Sequence, residues 1–189
     1  SMMAFPVLAC LLNNQSIQIE NPVQSIHSLG HEVLLDNINS FGIEEQNGTL
    51  TPLGKVAEVD IDLRDANDLL PPLAAVLALS GGGRLRGATH AKHKESNRID
   101  CTAHLLKCFG LTCTIEDDGL SIEGGQQMTR PEKFVETFGD HRIQMTAVLL
   151  AAQTGGTIEG PRLHRIADPA FLNRLSTVPT EVLVKGIQR

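Results

Sequence analysis

The chain has 189 residues, 41% of them hydrophobic, a formal net charge of -6, and neither tryptophan nor tyrosine. That length and apolar share allow the core of one large domain or a small pair, while the acidic balance and the lack of Trp or Tyr for base stacking argue against nucleic-acid binding. No apolar run reaches the roughly 18 residues of a membrane span and no signal peptide is legible, so the expectation is a soluble, cytoplasmic protein without membrane contact. Cys10, Cys101, Cys108 and Cys113 form no C-x-x-C pair and have no histidine at zinc-finger spacing, which predicts neither a disulfide framework nor a metal site.

In chain order, residues 3–12 ("MAFPVLACLL") are apolar all round, the mark of a helix buried on every side. The strand-like "IQIENP" (17–22) follows, then "HEVLLDNINSFGI" (31–43), a helix whose Phe-Gly ending suits a left-handed C-terminal residue. "VDIDL" (59–63) alternates as a half-exposed strand. A second all-apolar helix is predicted over 69–79 ("LLPPLAAVLAL"), with Pro71 and Pro72 in the first turn, where a missing N–H costs nothing. After the strand "GRLRGA" (83–88), "NRIDCTAHLLKCFGL" (97–111) repeats the helix with a Phe-Gly end. Residues 111–124 alternate again, placing Leu111, Cys113 and Ile115 on one face. A third apolar helix over 145–152 ("MTAVLLAA") precedes "GTIEGP" (156–161).

The strings "IQIENP", "GRLRGA" and "GTIEGP" recur at near-equal offsets, so the chain reads as about two and a half copies of one helix-strand-helix-strand unit. A doubly wound nucleotide-binding fold would show apolar strands between amphipathic helices. Here the polarity is reversed, which predicts an α/β (α+β) domain of buried helices wrapped by outer mixed sheets.

The chemistry concentrates between Arg84 and Arg98, a segment holding Arg84, Arg86, His90, Lys92, His93, Lys94 and Arg98 against the single acid Glu95. A solvated basic face is one reading. The other follows from position: Lys94 and Arg98 fall at a helix start, where the macrodipole disfavours cations and exposed N–H groups favour an anion. Arg142, in "FGDHRIQM" (138–145), repeats the inversion at the start of a buried helix, and one shared anionic ligand would satisfy both. Asp140 is a suitable N-cap for that helix. Asp68, just before the second apolar helix, reads either as its cap or as a general base toward a substrate hydroxyl. Glu95 reads as an ion-pair partner of Lys92 or Arg98, or as a proton donor.

The ordered strings "NDLLPPLAAVLAL", "HAKHKESNRI" and "DHRIQM" resemble the C-terminal half of the EPSP synthase (3-phosphoshikimate 1-carboxyvinyltransferase) family, over about Met3 to Phe171. The resemblance implies an inside-out, barrel-like enolpyruvyl transferase domain over residues 23–189, with 1–22 as a remnant of the family's other domain. It implies transfer of the enolpyruvyl group of phosphoenolpyruvate to a hydroxyl of shikimate 3-phosphate, in aromatic amino-acid biosynthesis, without metal or organic cofactor.

Carried onto this sequence, Asp68 is the base toward the ring hydroxyl and Glu95 the acid at the methylene carbon. His90 and Lys94 contact shikimate 3-phosphate, and Arg98 and Arg142 bind phosphoenolpyruvate. His90 stands where the family has Asn or Glu, Lys92 where it has Arg, and Asn97 where it has Asp; Ile166 occupies the place of a substrate-binding lysine, with Arg165 beside it as the replacement. The family's other domain supplies the opposite wall of the cleft, so the chain is expected to be inactive alone and to need an N-terminal half or a second copy. The competing expectation is a stand-alone, degenerate domain that binds anions or partners without catalysis.

Overall fold

The computed structural model of the protein describes residues 2–19 and 28–175, and the side chains of Lys92 and His93 fall outside that description, as do residues 20–22 of "IQIENP". The elements run α1 (Ala4–Asn13), β1 (Ile17–Gln18), α2 (Leu29–Asn37), β2 (Ile43–Gln46), β3 (Thr49–Pro52), β4 (Val59–Asp62), α3 (Leu70–Leu79), β5 (Gly82–Arg86), α4 (Arg98–Cys108), β6 (Thr114–Glu116), β7 (Gly119–Glu123), α5 (His141–Thr154) and α6 (Phe171–Leu175).

The three segments predicted to be buried all round meet at the centre: α1 packs on both α3 and α5, and α3 packs on α5. Every residue of α3 from Leu70 to Ala78 is buried, and so is α5 from His141 to Ala151. Ala74, Ala75 and Ala78 keep α3 slim enough for neighbours to close on every side. Each fully buried Leu or Phe in this core stabilises the fold by about 1.5–3 kcal/mol, which is why a helix with no polar face is held inside.

Among the described residues two sheets cover the helices. In the first, of order β1-β3-β2, the described pairings are antiparallel. The second, of order β4-β5-β7-β6, is mixed, with β4 parallel to β5 and the other pairs antiparallel. Its register sets Ile61 opposite Leu85 and Leu85 opposite Leu120, a row facing the helices. The other face carries ion pairs: Arg86 to Asp60 and Asp62, each at 2.8 Å, and Arg84 to Glu116. The Phe-Gly endings behave as the sequence suggests. Phe41 and Phe109 are fully buried, and Gly42 and Gly110 take φ of 79° and 74°, the left-handed turn that stops a helix.

Three expectations change. Ile115, placed on one face with Leu111 and Cys113, is 52% exposed although Leu111 is buried, because β6 is the edge strand and Leu120 and Ile122 of β7 already fill the core there. Among the described residues the third repeat strand contributes a single parallel bridge, Val135 to Ile158. Asp68 caps no helix: it sits inside a 3-10 turn over Asn67–Leu69, and Leu69, which precedes α3, offers no side-chain cap.

Candidate active site

The repeat brings the starts of α4 and α5 side by side, and Asp140 joins them. As N-cap of α5 it takes extended φ and ψ of -98° and 118° and accepts the Arg142 backbone N–H at 2.8 Å, the cap read from the sequence. The same buried carboxylate accepts Arg98 Nε at 2.7 Å, Arg98 Nη2 at 3.4 Å and Ser96 Oγ at 3.1 Å. Arg98, the first residue of α4, is 2% exposed. A guanidinium at that depth requires carboxylate partners, since an unpaired buried charge costs several kcal/mol.

Asp68 reaches in from the turn before α3. Its Oδ1 accepts a hydrogen bond from Arg98 Nη1, and its Oδ2 lies 3.6 Å from Arg142 Nη2. Arg142 donates from Nη1 to Met2 Sδ at 3.4 Å and sits 5.9 Å above the Phe5 ring, while its buried Nε has no hydrogen-bond partner among the described residues. Of the cations expected to converge, Arg98 and Arg142 meet at Asp68, while Lys94 stays exposed and acts on Asp68 only through its charge. What offsets them here is carboxylate from the chain itself, Asp140 for Arg98 and Asp68 for both arginines.

These charges set the protonation states. Burial pushes the Asp68 carboxyl up, but the hydrogen bond and charge of Arg98, with the charges of Arg142 and Lys94, outweigh it and hold the carboxyl below its ordinary range. Burial works against the charge on Arg98, and Asp140 and Asp68 more than restore it. For Arg142 burial dominates and the guanidinium is held below its usual value, Asp68 being the strongest opposing influence. Asp68 is thus an ionised group whose side chain stays 42% exposed, the open side of an otherwise buried cluster.

Beside it, Glu95 Oε2 lies 2.9 Å from His141 Nδ1 and 3.3 Å from the His141 backbone N–H. His141 is buried and Glu95 exposed, so the imidazole fixes the direction of an acid that faces solvent. Sequence reasoning missed His141 as a site residue, although it lies inside the string "DHR" that singled out its neighbour Arg142. Of the readings of Glu95, an ion pair with Lys92 or Arg98 or a proton donor, the Lys92 pair lies outside the described side chains, and among the described residues the partner is His141. Lys94 and His90 are exposed. Lys94 acts on Asp68 through its charge, and neither side chain has a hydrogen bond or ion pair among the described residues. Arg165 lies exposed on a 3-10 turn over Leu163–Ile166, with Ile166 67% exposed, and no described contact ties its side chain to the cluster.

Glu95, Asp140 and His141 bring ligand atoms within 4.8 Å of one another, the one grouping of this kind among the described residues. It fits a metal poorly: Asp140 is committed to Arg98, Ser96 and the α5 backbone, and Arg98 and Arg142 flank it with positive charge. The four cysteines are free, and burial pushes the Cys10 thiol up to about 11.

Fold and site together define an α/β domain of buried helices that gathers two arginines and two aspartates at the starts of α4 and α5. A family model described as EPSP synthase (3-phosphoshikimate 1-carboxyvinyltransferase) matches residues 1–175, and the chain belongs to that family. The 3-phosphoshikimate 1-carboxyvinyltransferase of Methanothermobacter thermautotrophicus is 32% identical over 154 residues, covering 79% of this chain and 36% of the relative. That of Helicobacter hepaticus is 31% identical over 189 residues, covering 92% of this chain and 41% of the relative. A solved EPSP synthase of Acinetobacter baumannii superposes with a TM-score of 0.76 at 22% identity, over 97% of this chain and 46% of the other, which speaks to the fold alone. The chain thus spans less than half the length of the relatives it matches. Among the described residues no helix is long and apolar enough to cross a membrane.

Proposed function

We propose that the chain forms one wall of a cleft in which the enolpyruvyl group of phosphoenolpyruvate passes to a hydroxyl of shikimate 3-phosphate, with release of phosphate, in the cytoplasm. The observation that carries this reading is the arrangement of Asp68 between Arg98 and Arg142, with the Glu95–His141 pair alongside. Asp68, ionised and partly open, accepts the proton of the attacking hydroxyl. Glu95, held by His141, delivers a proton to the methylene carbon as the new C–O bond forms, and takes one back from that carbon as the C–O bond to phosphate breaks and phosphate leaves. Arg98 and Arg142 receive the phosphate and carboxylate of phosphoenolpyruvate, while Lys94 and His90 face shikimate 3-phosphate. Arg165 takes the part of the lysine that Ile166 replaces.

The opposite wall comes from an N-terminal half or a second copy of the chain, because stabilising a transition state needs donors preorganised on both sides of the developing charge. We assign residues 23–189 to the enolpyruvyl transferase-like domain and 1–22, by their place in the family, to its other domain; in the folded chain α1 packs on α3 and α5. The chain alone then binds substrate weakly and turns none over. Titrating shikimate 3-phosphate into the labelled chain tests the reading by NMR. Shifts at Lys94, Asp68 and Arg98 that weaken about tenfold in Lys94→Ala support it, and no shift at any of them, with or without phosphoenolpyruvate, overturns it.

A further inference from the structure

Asp68 faces the two guanidiniums from the solvent side, one carboxylate oxygen on each: Oδ1 accepts from Arg98 Nη1 and Oδ2 lies 3.6 Å from Arg142 Nη2. Arg98 is otherwise held by Asp140, which is completely buried and cannot move without uncapping α5. Arg142 has little else: a thioether, an aromatic face, and an Nε with no partner among the described residues. One carboxylate therefore already accepts from Arg98 and lies against Arg142, and an incoming anion meets an occupied site.

We infer that Asp68 is an internal ligand that a phosphate or carboxylate must displace from Arg98 and Arg142, so that filling the anion site is what releases the Asp68 carboxylate. This rests on the proposed anion site and adds a coupling to it. Coupling between two occupants of one site is reciprocal. Asp68 weakens anion binding, and a bound anion takes the Arg98 hydrogen bond from Asp68 and sets its own negative charge against those of Arg98 and Arg142. The carboxylate becomes more basic at the moment a proton acceptor is needed. Before that, hydrogen-bonded to Arg98 and 3.6 Å from Arg142, it is a poor base. The order of events is thereby built into the cluster: the anion arrives first, and the group that accepts the hydroxyl proton is freed by it.

Inorganic phosphate, titrated into the full chain at neutral pH and followed by NMR, tests this. Asp68→Asn keeps the shape and removes the charge; Glu44→Gln, on the exposed face of β2, matches the change in net charge at a distance. The expected result is phosphate binding about tenfold tighter in Asp68→Asn than in the wild type, no change in Glu44→Gln, and loss of the gain when Arg142→Gln is added. Equal or weaker binding in Asp68→Asn overturns the coupling while leaving the anion site standing. Phosphate that binds none of these proteins, or binds regardless of Arg142, overturns the anion site and the coupling with it. Should Asp68→Asn fail to fold, the wild type decides: the Asp68 carboxyl carbon must titrate at higher pH in saturating phosphate than without it, and an unmoved midpoint counts against the inference.

Discussion

Arg98 and Asp140 form a buried pair, Nε to Oδ2 at 2.7 Å with 2% and 0% of their side chains exposed, and through it the first turn of α4 is bound to the first turn of α5. One carboxylate serves as cap and counter-ion together. Asp140→Ala should destabilise the chain by about 3–5 kcal/mol from the stranded charge and about 1 kcal/mol more from the lost cap. Urea unfolding measures it; a loss below about 1 kcal/mol would mean that Arg98 finds another partner.

Met2 and Phe5 bring α1 into the same cluster, since both touch Arg142. Deleting residues 2–22 should abolish cooperative unfolding, because α3 and α5 would expose the faces that α1 covers. The milder Leu8→Ala, at a fully buried position, should cost about 2–5 kcal/mol. A truncated chain that unfolds like the intact one would show that α1 is dispensable to the core.

His164 supplies a pH dependence. Its backbone N–H donates to Gln144 Oε1 at 3.0 Å and its ring packs 6.1 Å from Phe171, so it links the 3-10 turn bearing Arg165 to α5 and α6. Burial, together with the positive charges of Arg165 and Arg162, holds the imidazole below its ordinary value in the folded chain. A depressed value favours the neutral ring when folded, so this contribution is fully present above the unfolded value of about 6.5 and is lost as pH falls toward the folded one. Thermal unfolding from pH 7.5 to 5 should show a falling Tm that is flatter in His164→Gln. Identical slopes would remove His164 as the cause.

Asp68 adds a second, lower window. Its folded value is depressed, so its stabilisation is complete above the unfolded value of about 3.9 and disappears as pH falls below it. Asp68→Asn should therefore narrow the stability gap between pH 5 and pH 3 relative to the wild type.

Much of this architecture was legible because it depends on composition along single elements. Segments without a polar face have nowhere to go but the centre, and a Phe-Gly pair closes a helix whatever surrounds it. Asp140 was readable for the same reason: a cap acts on its own helix. Asp68 was harder, since its local pattern fits a cap equally well, and only the approach of Arg98, 30 residues away, shows its use. Glu95 and His141 are 46 residues apart and meet because two repeats pack together, which no local pattern reveals. Ile115 misled because alternation tells which side a residue faces and not whether the strand lies within reach of the core.

Glu95→Gln separates the chemistry from the scaffold. The pair with His141 is partly exposed, so stability should change by no more than about 1 kcal/mol. In a reconstituted enzyme substrate binding should survive, while turnover drops by about 10²–10⁴ for loss of a proton donor. Turnover retained in Glu95→Gln would move the acid elsewhere.

The most direct test is reconstitution. The purified chain is incubated with shikimate 3-phosphate and phosphoenolpyruvate, alone and mixed with a separately purified N-terminal half of a family relative, and phosphate release is followed. The account predicts no release from the chain alone, release from the mixture, and loss of that release when the chain carries Asp68→Asn. Rapid release by the chain alone, or a mixture that binds together and stays silent, would contradict it.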